Sequence, residues 1–214
     1  MARLIQIHLH QLSDLACDQL SDRKTQVAER KSEVAFLRNQ LLSQSFELSV
    51  SDQQVVRTNF GKPYLKDYPD FSFNHSHSQN FYALATSKQV QNLGIDIEEL
   101  NRKVRFEALA QHAFHPEELK KWQVLDYDPE YWFKVWTTKE AVLKASGLGI
   151  RINLNELNTN IHPEQNGGRC EHPEIGVYAY QNYSVAGCML TVAWQSEHSC
   201  KGLRFPVIQI HHTV

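Results

Sequence analysis

A helix marked at both ends runs through the chain, and the other motifs have to be arranged around it. Asp128-Pro129-Glu130 supplies an N-cap, a proline at the first helical position and an acid in the first turn. Gly147 supplies the stop, because glycine takes the left-handed C′ conformation at little cost. Between these signals Trp136, Glu140 and Lys144 recur at four-residue steps and so share one face. A ring, a carboxylate and an ammonium in a row is also the pattern of an ordinary solvated stripe. Tryptophan is costly to leave in such a stripe, however, and a second acidic motif lies upstream.

That motif is Gly94-Ile95-Asp96-Ile97-Glu98. The alternation predicts a strand with Ile95 and Ile97 on one face, Asp96 and Glu98 on the other. The two acidic residues are about 7 Å apart along the backbone, from the rise per residue. Side chains so placed converge on one hard cation, and magnesium favours a few carboxylates, several waters and substrate phosphate oxygens. A solvated strand face has the same pattern. Glu140 is the third carboxylate assigned to this site.

Composition narrows the class. With 214 residues, 42% hydrophobic and 21% charged, the chain has enough material for one large or two small globular domains. A net charge of -2 gives no polybasic footprint for nucleic acid. No apolar run approaches membrane-spanning length, and the start leads into an alternating strand rather than a signal peptide. Cys17, Cys170, Cys188 and Cys200 are scattered, with no C-x-x-C pair. Free thiols in a reducing cytoplasm are expected.

Along the chain, Leu4 to His10 alternates as a half-buried strand. Val27 to Phe46 follows as a helix with Val34, Leu37 and Leu41 on its apolar face; Lys31 and Arg38 lie two turns apart on it. Two cations so spaced suit a phosphate, or simply a soluble helix. Gly61-Lys62-Pro63 predicts a turn that holds Lys62 between a freed and a fixed backbone position, without the lead-in of a P-loop. Asp70 to His77 and Asn80 to Thr86 read as strands joined near Ser76 to Asn80. His75 and His77 share a strand face, but no zinc set with recognised spacing accompanies them. A histidine donating to a phosphate suits His77 better, with Lys62 nearby. Two helices follow, one around Phe106 to Phe114, the other opening at His115-Pro116 with Leu119 and Trp122 as contacts. Gly149 to Leu154 is expected as a short strand and His162 to Pro173 as a loop. Ile175 to Tyr180 and Tyr183 to Trp194 are expected as strands joined at Gln181-Asn182, and Leu203 to Val214 as a last strand.

Gly61–Pro63, Asn74-His75-Ser76-His77-Ser78, Gly94–Glu98 and Trp136-Thr137-Thr138-Lys139-Glu140-Ala141-x-x-Lys144 stand in that order. Together they resemble the 4′-phosphopantetheinyl transferase superfamily, in its larger monomeric surfactin-activating branch, over roughly residues 27–150. Glu29 to Arg38 looks like a further basic segment of many members. His75 departs from the apolar residue usual between the Asn and Ser, which affects local packing rather than the role of His77.

The resemblance implies an α/β fold of two pseudo-twofold halves, 1–100 and 101–214, with the active site in the cleft between them. It implies transfer of phosphopantetheine from coenzyme A to a serine of an apo acyl or peptidyl carrier protein, releasing adenosine 3′,5′-bisphosphate. Asp96, Glu98 and Glu140 would hold Mg²⁺. Lys62, Ser76 and His77 would contact coenzyme A phosphates, Lys144 would neutralise the pyrophosphate, and Arg57, Lys31 and Arg38 would serve the 3′-phosphate. Glu140 is the expected general base, with Glu98 the alternative. The carrier is expected in trans, because no G-x-D-S-[LI] acceptor motif occurs here, and the surface around Phe114–Leu125, with Lys120 and Lys121 beside Leu119 and Trp122, is expected to help dock it. A magnesium-dependent coenzyme A or nucleotide pyrophosphatase, or a non-catalytic nucleotide-binding protein, would use the same residues.

Overall fold

A computed structural model describes residues 3–12, 22–149, 151–197 and 205–213. Strand β1 (Leu4–Gln11) leads to helix α1 (Arg23–Phe46), whose N-cap Asp22 accepts from the Thr25 N–H at 2.8 Å. A short hairpin follows, β2 (Val55–Arg57) and β3 (Pro63–Leu65), then β4 (Ser72–His77), β5 (Phe81–Ser87) and β6 (Gly94–Glu99). Helices α2 (Phe106–Ala113), α3 (Pro116–Val124) and α4 (Pro129–Ser146) come next. The chain ends with β7 (Gly167–His172), β8 (Gly176–Val185), β9 (Cys188–Gln195) and β10 (Val207–Thr213).

The larger strands form two sheets of four, in the orders β10-β1-β5-β4 and β6-β9-β8-β7. The alternation read in β1 has its purpose between them. Ile5, Ile7 and Leu9 of the first sheet pack with Ile95, Ile97, Leu190 and Val192 of the second. The outer face of the first sheet carries Phe73, Tyr82 and Leu84 against Leu41, Leu42 and Phe46 of α1. The outer face of the second carries Tyr178, Tyr180 and Met189 against Trp132, Phe133 and Val142 of α4, with α2 and α3 alongside. The result is a helix–sheet–sheet–helix stack, a mixed α/β architecture. No helix among the described residues is long and apolar enough to cross a membrane.

Four local expectations are corrected. Residues 151–153 form no strand, and Leu154–Glu156 is a turn of 3₁₀ helix; Ile150 lies outside the described residues. The expected 162–173 loop contains β7, where Gly167 and Gly168 leave room for the Gln181 and Tyr180 side chains of β8. Gln181-Asn182 is not a turn, because β8 runs through it. The reversal is at Ala186-Gly187, both at positive φ (52° and 73°), the two-residue hairpin geometry that matches strand twist. Helix α1 begins four residues earlier than its apolar period suggests, at a capping aspartate. Cys170 and Cys188 are free and buried, while Cys17 and Cys200 lie outside the described residues. The strand expected over 203–214 is found as β10, parallel to β1, with residues 203, 204 and 214 outside the described set.

Candidate active site

The two sheets meet along β4 and β6, both edge strands, and the sequence of β4 explains how. Ser72, Asn74 and Ser76 alternate with Phe73, His75 and His77, so one face is polar and small. That face satisfies the open edge of β6. Leu93 N–H donates to Ser72 Oγ at 3.2 Å, Ile95 N–H to Asn74 Oδ1 at 3.0 Å, and Ser76 Oγ donates to Asp96 Oδ1 at 2.9 Å. Three residues beyond Asp96, Glu99 Oε1 accepts from Ser78 Oγ and Asn80 N–H at 2.8 and 2.7 Å, pinning the turn after β4. Asn74 and Glu99 therefore matter to the site, although the sequence offers Asn74 only as the first residue of a motif and does not single out Glu99. The signal for Asn74 is the period-two polar pattern around the histidines.

Helix α4 covers β6 closely. A Cβ on Gly94 would sit 2.0 Å from the Ala141 carbonyl oxygen, so glycine there lets the helix lie on the strand. From Tyr131 to Ala145 every residue of α4 is buried except Trp136, Glu140 and Lys144. The stripe read from sequence is thus the one face α4 leaves open. Trp136 stacks on Trp132 at 5.3 Å between ring centroids. Lys144 Nζ donates to Asp96 Oδ1 at 2.7 Å, Ser76 Oγ at 2.9 Å and the Ile95 carbonyl at 3.2 Å. Lys139, in the same motif, points the other way. It is fully buried, ion-paired with Glu118 at 2.8 Å, and donates to the Leu154 carbonyl at 3.0 Å, so it ties α4 to α3 and the following loop.

The three carboxylates are mutually near. Burial, then the charge of Asp96, raises the Glu140 carboxyl above the usual range, with Lys144 opposing and Glu98 adding. Glu98 is also raised, chiefly by burial, against a hydrogen bond from Arg102 at 2.5 Å. Asp96 Oδ2 is buried with no hydrogen-bond partner. An unpartnered carboxylate oxygen beside two carboxylates whose ionised forms are disfavoured is chemistry that a hard divalent cation complements. As the side chains stand, no group of three or more His, Cys, Asp or Glu among the described residues is arranged to hold a metal ion. Lys144 and Arg102 neutralise part of the charge instead.

Beside this centre lies a cavity of about 240 Å³ lined by Arg57, Lys62, His75, Glu140 and Lys144 among others. Lys62 reaches it from the glycine–proline turn, with Gly61 at φ 87°. Its Nζ donates to the Ala145 carbonyl at 2.6 Å, one of the last carbonyls of α4, where a cation is favoured. Burial lowers the Lys62 ammonium to about 8. Arg57 is held by the Gly61 carbonyl at 2.7 Å. Arg38, on the buried face of α1, is engaged by Asn39 and by Asp52 at 2.6 Å and lies close enough to His75 to disfavour its protonation. Lys31 is exposed, and neither it nor Arg38 is among the residues lining this cavity. His77 is exposed and lines a neighbouring cavity with Glu98 and Arg102. Of the residues expected to hold a carrier, Lys120 and Lys121 are exposed, whereas Trp122 and Phe114 are core.

Residues 92–191, just under half the chain, match the 4′-phosphopantetheinyl transferase superfamily. The match includes β6, α4 and the first half of β9. The chain is 29% identical over 126 residues to 4′-phosphopantetheinyl transferase Sfp of Bacillus subtilis, covering 58% of this chain and 54% of that protein. It is 37% identical over 110 residues to 4′-phosphopantetheinyl transferase HetI of a Nostoc species, covering 49% and 46%. It is 28% identical over 139 residues to the mouse L-aminoadipate-semialdehyde dehydrogenase-phosphopantetheinyl transferase, covering 58% and 44%. The chain spans about half the length of the curated relatives it matches.

Proposed function

We propose that this chain, which belongs to the 4′-phosphopantetheinyl transferase superfamily, moves phosphopantetheine from coenzyme A to a serine of an apo acyl or peptidyl carrier protein. The observation that carries the reading is the meeting of polar atoms of Asp96 from β6, Ser76 from β4 and Lys144 from α4 within 2.9 Å of one another, beside a cavity lined by Arg57 and Lys62. In this reading Lys62, Ser76, Lys144 and Arg57 hold coenzyme A phosphates, His77 approaches from the neighbouring cavity, and Arg38 supports the site from beneath. Lys31 belongs to this set least well.

Asp96, Glu98 and Glu140 would hold magnesium, for which the unpartnered Asp96 oxygen and the carboxylates whose ionised forms burial and neighbouring charge disfavour are suited. When bound, the ion supplies charge neutralisation at the pyrophosphate oxygens. The carrier serine Oγ forms a bond to the β-phosphorus, and the bond to the departing adenosine 3′,5′-bisphosphate oxygen breaks. Lys144 offsets the negative charge that grows on that oxygen, so its contribution is largest in the transition state. The serine proton passes to a carboxylate. Glu140, whose proton affinity is raised by its surroundings, is the preferred base, with Glu98 the alternative.

Two sheets of four strands, each backed by a long helix, support a pair of related halves near 1–100 and 101–214, with β6 and β10 each seated in the sheet of the other half. A monomer, a cytoplasmic location and docking of an acidic carrier at Lys120 and Lys121 complete the proposal. Intact-mass measurement after incubation with coenzyme A, Mg²⁺ and a panel of apo carriers tests it. A carrier gaining one phosphopantetheine mass is expected. Free phosphopantetheine without a modified carrier would establish hydrolysis instead.

A further inference from the structure

His75 lines the cavity of the candidate site, yet the transfer reading leaves it without a role. Strand β4 turns Ser72, Asn74 and Ser76 toward β6, so His75 falls on the opposite face with Phe73 and His77. There Tyr82 of β5 packs on it, with ring centroids 5.7 Å apart. The His75 Nδ1 is buried without a hydrogen-bond partner, and the Tyr82 hydroxyl, buried and unpartnered as well, does not supply one. An unmet polar atom in such a wall destabilises the fold, and a hydrocarbon side chain there would not. The charged groups around the ring are mostly cations. Arg38 approaches from α1, Lys144 from α4, His77 from β4 and Arg57 from the end of β2. Lys62, from the turn after β2, and Glu140, from α4, line the same cavity. Burial, then these cations, keeps the imidazole well below the usual histidine value, so it is neutral in the free protein.

We propose that His75 is a further phosphate-binding residue of this chain, its imidazole donating to a phosphate of coenzyme A in the cavity it shares with Arg57 and Lys62. The inference rests on the transfer reading and adds a residue to its phosphate set. Phosphate is the chemical class that suits the position. It brings acceptor oxygens to the imidazole N–H and negative charge to the cations that keep a proton off the ring. Entry of the phosphate reverses the local field, and the imidazole takes up a proton from solvent as the ligand binds. A neutral group such as adenine would accept the hydrogen bond without reversing the field, so proton uptake separates the two.

Calorimetry of the full chain with coenzyme A, without metal or carrier, tests this in two buffers of different ionisation enthalpy. The titrations are run at about pH 6, where Lys62, at about 8, is already protonated. Wild type is compared with His75→Leu and with His75→Gln, which keeps a donor and cannot take the proton. Wild type is expected to take up more protons than either variant. Affinity is expected to fall about 10-fold in His75→Leu, the low end for a hydrogen bond to a charged group, and less in His75→Gln. Dephospho-coenzyme A, which lacks the 3′-phosphate, locates the contact. A proton difference that disappears with it assigns the 3′-phosphate, and one that persists assigns the pyrophosphate. Equal proton uptake in all three proteins would overturn the role of His75, whether or not affinity changes, because a residue that merely shapes the wall moves affinity alone. The transfer reading would survive that result if Lys62→Ala weakens binding in the same titrations. Unaltered binding in Lys62→Ala and both His75 variants would remove the cavity from that reading, and this inference with it.

Discussion

Lys62, Lys139 and Lys144 are all drawn out of water, each by a different set of oxygens. Lys139 meets a buried carboxylate and helps hold the fold, Lys144 meets Asp96 at the candidate site, and Lys62 meets the end of a helix. Only the last has no anionic partner, so an incoming phosphate has most to offer it. Lys62→Ala is expected to weaken coenzyme A binding about 10- to 100-fold, the span of one charge-assisted hydrogen bond. Calorimetry giving an unchanged Kd would remove Lys62 from the phosphate set. His75 makes a second prediction. Burial, then the charges of Arg38, Lys144, His77 and Arg57, lowers its imidazole from 6.5 to about 3. Between those values the unfolded chain binds a proton that the folded chain refuses, so stability is present above about 6.5 and is lost as pH falls toward 3. His75→Leu should flatten that decline in urea midpoints measured from pH 7 to pH 4. His8, lowered to about 4, keeps its own share in the variant. A slope identical to wild type would contradict the account.

Helix α4 was legible in sequence from cap to cap, and so was its open face, because a capped amphipathic helix writes its burial at fixed intervals. The strand β6 was equally plain. What sequence left unread was the reason for Gly94: the glycine is there for a helix 47 residues downstream, and contact across that distance leaves no local pattern. Gly94→Ala should destabilise the fold by about 1–3 kcal/mol, because the new methyl group would meet the Ala141 and Ala145 backbone. The same displacement would move Glu140 and Lys144 away from Asp96. An unchanged denaturation midpoint would show that α4 does not lie on β6 as described. The β8–β9 turn was misplaced for a different reason: Gln181-Asn182 has turn-like composition, but the positive-φ pair at Ala186-Gly187 sets the hairpin.

Across the whole molecule, the candidate site exists because two sheets meet at their edges. The polar residues of β4 could be read as a strand face, yet nothing in their order says that the edge they satisfy belongs to β6. The same holds for Lys139 and Glu118, whose pairing joins helices that sequence shows only as neighbours. The cations and carboxylates of the site were therefore legible as residues, and their pairing only as a likeness to a family. The central claim is that carboxylates from β6 and α4 act on one coenzyme A molecule. It is tested most directly by intact-mass assay of an apo carrier with Mg²⁺ and coenzyme A, comparing wild type with Asp96→Ala and Glu140→Ala proteins whose circular dichroism matches wild type. The expected result is phosphopantetheine transfer by wild type and a loss of at least about 100-fold in each variant; transfer at the wild-type rate by either folded variant would contradict it.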